Sequence, residues 1–208
     1  MRKIEKICEL LDLDRQPRDV NILEIGTGTG IHAAYLIGKY PEISYTGVDI
    51  SQGMLNVAQR KLGREAVRLV SGDGHRLPFK SFSFDAVFIS GSLHHFNNPC
   101  AGICEAFRVL KNHGKLAIME PNWLFPTNLL PAIANKQERG IMKMTPGNFI
   151  RWSRATDLSM PIIGHMLYTP PVPAAMSTFY DMADKILMQI PGISQVSIMI
   201  YMSGIKQE

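Results

Sequence analysis

Residues 21–36, "NILEIGTGTGIHAAYL", limit the fold of this chain more than any other stretch. An apolar run carrying Glu24 meets glycines at alternate positions, Gly26, Gly28 and Gly30, and a helical pattern follows at once. Glycine reaches positive φ without steric cost, and its missing side chain lets another body touch the main chain. Three glycines in a strand-to-helix turn therefore suggest a ligand held against the backbone. A tight βα connection explains an isolated Gly-x-Gly equally well, so the neighbouring segments have to decide.

Those neighbours repeat the pattern. "VNILEIG", "ISYTGVDI", "AVRLVSGD", "FDAVFISGS" and "KLAIMEP" read as strands. They alternate with helical segments at "IHAAYLIGKY", at "SQGMLNVAQRKLG", with Ser51 as N-cap and Gly63 as stop, and at "PCAGICEAFRVLKNHG". A further charged helix is expected over residues 2–12. Strands alternating with helices predict an α/β fold with a doubly wound, mostly parallel sheet. Ligands of such sheets sit beyond the carboxyl ends of the strands, where Glu24, Asp49, Asp73, Ser90 and Glu120 fall.

Composition narrows the function classes. A chain of 208 residues, 46% hydrophobic and 19% charged, suits one domain with a sizeable core. No stretch approaches the roughly 18 apolar residues of a membrane span, and residues 1–13 lack a signal-peptide core, so a cytoplasmic protein is expected. Cys8, Cys100 and Cys104 are odd in number and have no metal-ligand spacing around them; reduced thiols and no metal are expected. The +4 charge is mild and scattered, which gives no footprint for nucleic acid.

The texture changes at Pro121, after which come eight of the 13 prolines and most of the methionines. The regular scaffold is expected to end near Glu120. "TPGNFIRWSRA" suggests a helix capped by Thr145 with Pro146 in its first turn, residues 177–190 another helix, and "SQVSIMIYMSG" a closing strand. The expected division of this single domain is a core at 1–120, an irregular, partly helical insertion at 121–192, and the closing strand at 193–208.

The acids select the ligand. A dinucleotide fingerprint needs a small residue where Ile31 stands, which disfavours NAD. Asp49, ending the second strand, can accept from both vicinal hydroxyls of a ribose, since a carboxylate offers two acceptor oxygens. Asp73 can accept from an exocyclic amine such as that of adenine, and Gly74 keeps the adjoining surface low. Together they describe a nucleoside.

In this order and spacing, "LEIGTGTG", "GVDIS" with Met54, "GDGHRLPF", "FDAVFISGSLHHF" and "EAFRVLKNHGKLAIMEP" resemble the class I S-adenosylmethionine-dependent methyltransferases, in the small-molecule subgroup related to quinone biosynthesis. The resemblance covers about residues 20–120. It implies a Rossmann-like, seven-stranded sheet with the C-terminal insertion acting as a lid. It further implies S-adenosylmethionine as cosubstrate, with Gly26, Thr27, Gly28 and Gly30 passing its methionine portion and Glu24 orienting the turn and reaching the ammonium through water. Asp49 would hold the ribose and Asp73 the adenine. Ile50 and Met54 would pack nearby, and the backbone after Ser90 would border the methionine portion.

Methyl transfer from a sulfonium is an in-line displacement, so a base is optional. His94 and His95 are the candidates for a base or for positioning the acceptor, against the more ordinary reading that they pack the loop. His32 is expected to cap or pack the first helix of the repeat, and His75 and His113 to be peripheral. The lid would use aromatic and methionine side chains of 121–192, among them Trp123, Trp152, Met144 and Met160, to cover a largely apolar small molecule, with Arg139, Lys143, Arg151 and Arg154 available for an acidic group. The same residues could instead form a subdomain core or a homodimer contact. The competing functions are a partner subunit that binds S-adenosylmethionine without activity and, less favoured, an NAD(P)-dependent oxidoreductase, which lacks a Tyr-x-x-x-Lys pair here.

Overall fold

A computed structural model describes residues 2–15, 19–63, 67–166 and 197–207. Its strands are β1 (Asn21–Ile25), β2 (Ser44–Asp49), β3 (Arg68–Ser71), β4 (Phe84–Ser90), β5 (Leu110–Pro121), β6 (Leu158–Met166) and β7 (Met199–Lys206). The helices are α1 (Arg2–Leu10), α2 (Ile31–Lys39), α3 (Gln52–Leu62), α4 (Pro99–Val109), α5 (Pro126–Ala134) and α6 (Pro146–Arg154). One sheet runs β3-β2-β1-β4-β5-β7-β6, parallel from β3 to β5, with β7 antiparallel to both of its neighbours. This is the mostly parallel seven-stranded α/β sheet expected.

Alternation along the central strands explains the layers. Leu23, Ile25, Val87, Ile89, Leu116 and Ile118 point to one face, where α4 contributes Ile103 and Ala106 and α6 contributes Phe149 and Trp152. Ile22, Ala86, Phe88, Ala117 and Met119 point to the other, against Ile4 and Ile7 of α1 and Ala33 and Leu36 of α2. Both faces are dry, so the strands read as continuous apolar runs. Local signals hold where they are strong: Ser51 Oγ caps α3 by accepting from Met54 N, Gly63 ends that helix, and Thr145 caps α6 with Pro146 in its first turn.

Two boundaries differ from the sequence reading. Helix α4 stops at Val109, because Leu110 pairs with Phe84 and starts β5 ahead of the expected strand. The scaffold also does not end near Glu120, since β6 lies inside residues 121–192 and forms the sheet edge beside β7. Trp152 and Met144, expected in a lid, belong to the core beneath the sheet. The expected helix over 177–190, and the aromatic and methionine residues Tyr168, Met176, Phe179, Tyr180, Met182 and Met188 expected in the lid, lie outside the described residues.

Candidate functional site

Parallel strands bring their carboxyl ends to one rim of the sheet, and the first to be capped is β1. Glu24 is buried at the β1 end and accepts from Thr27 Oγ1 at 2.8 Å. It also accepts from the Tyr45 hydroxyl, and His32 Nδ1 lies 2.6 Å from its other oxygen. These bonds tie the glycine turn to β2 and α2. Burial beside Glu24 holds the Tyr45 hydroxyl well above its usual range, so it remains a donor. His32, expected to cap or pack the first helix of the repeat, turns its ring to Glu24 and lies edge-on to Phe88.

The glycines act differently. Gly26 (φ 78°) faces Ser92, whose Cβ would lie 2.3 Å from an added methyl group. Gly30 (φ 71°) lies against Leu62 and Ala58 of α3, which gives it a packing reason. Gly28 (φ 54°) has open space where a Cβ would project. Positive φ costs a side-chain-bearing residue about 1–2 kcal/mol. Gly26→Ala should therefore destabilise the protein more than Gly28→Ala, which bears the strain without the clash. Urea unfolding of the two variants checks this, and equal losses would contradict the stated contact with Ser92.

Beyond the turn, Asp49 ends β2. Its Oδ2 accepts from Gly28 N at 2.8 Å and its Oδ1 from Ser51 N at 2.9 Å, so each oxygen keeps acceptor capacity. Asp73 follows β3. Its Oδ1 accepts from His75 N at 2.9 Å and lies 2.7 Å from His75 Nδ1, bonds that hold the carboxyl below its ordinary range despite slight burial. His75 Nε2 accepts from Asn98 N, which leaves the ring proton on Nδ1. Phe96 lies against Gly74, where a Cβ would come within 2.4 Å of its ring.

These groups line one cleft of about 250 Å³, bounded by Gly26, Asp49, Ile50, Asp73, Gly74 and His95, with Ser92 and Phe96 also in its wall. Larger clefts of about 750 and 640 Å³ involve the opposite ends of the strands, around Lys206 and around Lys115, without the glycine turn or either of these acids. The chemistry favours the smaller one. Among the expected site residues, Glu24 and Thr27 support the turn from below, while Gly28, Gly30, Met54, Ser90 and His94 are not in the cleft wall. Ser90 Oγ is buried without a hydrogen-bond partner among the described residues. His75 was expected to be peripheral and instead lines the cleft, because the turn after β3 folds it back onto Asp73. Arg154 lines the cleft at the opposite end of the sheet.

Glu120 and Ser92 are the residues that sequence reasoning underused. Glu120, fully buried at the end of β5, accepts from Ser92 N at 3.0 Å and Leu93 N at 2.9 Å through Oε1, and lies 2.5 Å from His94 Nδ1 through Oε2. Ser92 Oγ donates to Ile25 O, joining the turn after β4 to β1. His94 Nε2 lies 3.3 Å from Glu138 Oε2. Burial opposes the charge on His94, but the two carboxylates outweigh it and hold the imidazole above its ordinary value. Burial likewise opposes the Glu120 charge, and the bond and charge of His94 together with the Leu93 N–H and the Lys3 charge outweigh it, leaving that carboxyl below its ordinary value.

The pair has a defined stability window. A raised His94 stabilises fully below the unfolded imidazole value of about 6.5 and loses that contribution as pH rises through its folded value. A depressed Glu120 stabilises above the unfolded carboxyl value of about 4.3 and loses its contribution as pH falls through its folded value. The melting temperature of the protein should therefore fall as pH rises above neutrality, and His94→Gln should flatten that limb. Calorimetric scans across pH check it; an identical slope in the variant would contradict the assignment.

Comparison with known proteins agrees with this architecture. Residues 23–118 match the family described as a methyltransferase domain. Over 124 residues the chain is 36% identical to a demethylmenaquinone methyltransferase of Thermotoga maritima, a match covering 60% of this chain and 51% of that one. The chain spans about half the length of the first curated relatives it matches. In structure it is similar to the YcgJ protein of Bacillus subtilis (TM-score 0.68, 19% identity, 100% of this chain and 99% of that one). It is also similar to phosphoethanolamine N-methyltransferase 2 of Haemonchus contortus in complex with S-adenosyl-L-methionine (TM-score 0.72, 17% identity, 98% and 52%). These likenesses show the fold.

Proposed function

We propose that this chain is a class I S-adenosylmethionine-dependent methyltransferase and that it transfers a methyl group to a small, largely apolar acceptor. The observation that carries the reading is the convergence of the glycine turn, Asp49 and Asp73 on one cleft at the carboxyl rim. The residues fit the cosubstrate: Asp49 keeps acceptor capacity for ribose hydroxyls, Asp73 stands beside Gly74 for an adenine amine, and Gly26 brings bare backbone of the glycine turn to the cleft wall. Ile50, an exposed side chain in the cleft wall, supplies an apolar contact.

When bound, S-adenosylmethionine supplies an electrophilic methyl group on a sulfonium. The protein's task is to orient the two reactants and exclude water. Glu24, Thr27 and Ser92 hold the turn and the β4 loop in place, while Glu120 and Glu138 clamp His94 from two sides. That clamp makes His94 a positioning group. In this reading His95, exposed and in the cleft wall, is the residue that faces the acceptor.

Acceptor recognition is assigned to residues 121–192. Met166 and Met199, the described strand ends on either side of residues 167–196, pair with each other at the carboxyl rim, and Met199 pairs with Pro121. Helix α5 exposes Leu130 and Ile133, as an apolar acceptor or a second copy of the chain would require. The quinone-type substrate named for the Thermotoga relative belongs to the same apolar class. Incubating the protein and a metabolite extract with isotopically labelled S-adenosylmethionine tests the proposal: a labelled apolar product is expected. Binding of S-adenosylhomocysteine with no labelled product would favour a partner subunit without activity.

A further inference from the structure

His94, His95 and Glu138 meet where the turn after β4 packs against the 3-10 segment Lys136–Lys143. One ring nitrogen from each histidine and one carboxylate oxygen lie within 4.8 Å of one another. We propose that these three side chains form a site for one divalent transition-metal ion, of which Zn²⁺ is the best match. The histidine pair gives no such signal in the sequence, because the third ligand comes from a different element.

Ring orientation carries the argument. His95 Nδ1 lies 3.2 Å from the Gln137 carbonyl oxygen, and a carbonyl can only accept, so the proton sits on Nδ1 and the lone pair on Nε2. His94 Nδ1 points at Glu120 Oε2 at 2.5 Å, which directs its Nε2 towards Glu138. Each imidazole is thus held through Nδ1 by an oxygen and presents Nε2, which on His94 releases its proton to solvent as the ion binds, the arrangement found for metal-ligating histidines and their supporting carboxylates. The 3.3 Å between His94 Nε2 and Glu138 Oε2 also equals the ligand-to-ligand edge of a tetrahedron with bonds of about 2.0–2.1 Å.

The third ligand is placed by the backbone. A Cβ at Gly140 would fall 1.6 Å from the His94 carbonyl oxygen, so the 136–143 segment lies against the histidine turn at a distance only glycine permits. Two imidazoles and one carboxylate suit zinc, and three protein ligands leave a coordination position open. Because His95 also lines the cleft, the ion would stand at its wall, where an acceptor oxygen could complete the shell. That use rests on the methyltransferase reading; occupancy by the ion does not.

Titration of chelator-treated protein with CoCl₂, read by visible absorption, and displacement by ZnCl₂, read by calorimetry, test the site. One ion per chain is expected. His95→Ala and Glu138→Gln should each weaken binding by about tenfold or more, and both positions are open enough to substitute without unfolding the core. Failure of the unaltered protein to bind either ion, or an affinity in both variants equal to that of the unaltered protein, would overturn the proposal. S-adenosylhomocysteine calorimetry on the same preparations separates the claims: binding there without cobalt or zinc binding defeats the metal site alone.

Discussion

Replacing Asp49 by Ala should weaken S-adenosylhomocysteine binding by about 2 kcal/mol or more, roughly thirtyfold, on the scale of hydrogen bonds to a charged acceptor. The expectation has two sources. Asp49 can accept from the ribose hydroxyls, and it already accepts from Gly28 N and Ser51 N, so its loss also frees the glycine turn from the end of β2. Calorimetric titration measures the effect, and a melting curve shows how much is lost stability. Asp49→Asn, which keeps one acceptor oxygen, should fall between. Unchanged affinity in the Ala variant would remove Asp49 from the site.

Glu120→Gln should produce the largest loss of stability, about 3–5 kcal/mol, the range for breaking a buried pair from one side. The amide can keep its oxygen towards Ser92 N and Leu93 N, but its NH₂ group then meets the Nδ1 proton of His94, two donors face to face in a dry interior. For a domain of this size that corresponds to a melting temperature lower by roughly 6–20 °C. Urea unfolding with the native protein as reference checks it. A loss below about 1 kcal/mol would mean that the pair contributes little.

The scaffold was legible wherever local pattern and burial agree. The runs at β1, β2, β4 and β5 are covered on both faces, so they read as mostly apolar segments, and Glu24, Asp49 and Glu120 at the ends of β1, β2 and β5 mark one rim of the sheet. β6 was not legible. It is an edge strand carrying Pro161, with Met160 at positive φ and a register shift between Ser159 and Ile162, and Met160 and Ile162 are exposed. Edge strands tolerate proline and bulges, which erase the alternation that would reveal them.

The candidate site divides in the same way. Asp49 and Asp73 follow strands directly, so sequence order placed them together. The contacts of Glu120 with His94 and of Glu138 with the same ring join residues from separate elements, and no periodicity encodes such meetings. His75 looked peripheral because a histidine in a turn carries no burial pattern; its place follows from bonds to Asp73 and Asn98.

Calorimetric titration of the unmodified protein with S-adenosylhomocysteine, beside the same titration with NAD, tests the central claim most directly. Saturable binding of S-adenosylhomocysteine at one site per chain and no heat of binding with NAD are expected. Binding of NAD with none of S-adenosylhomocysteine would contradict that claim.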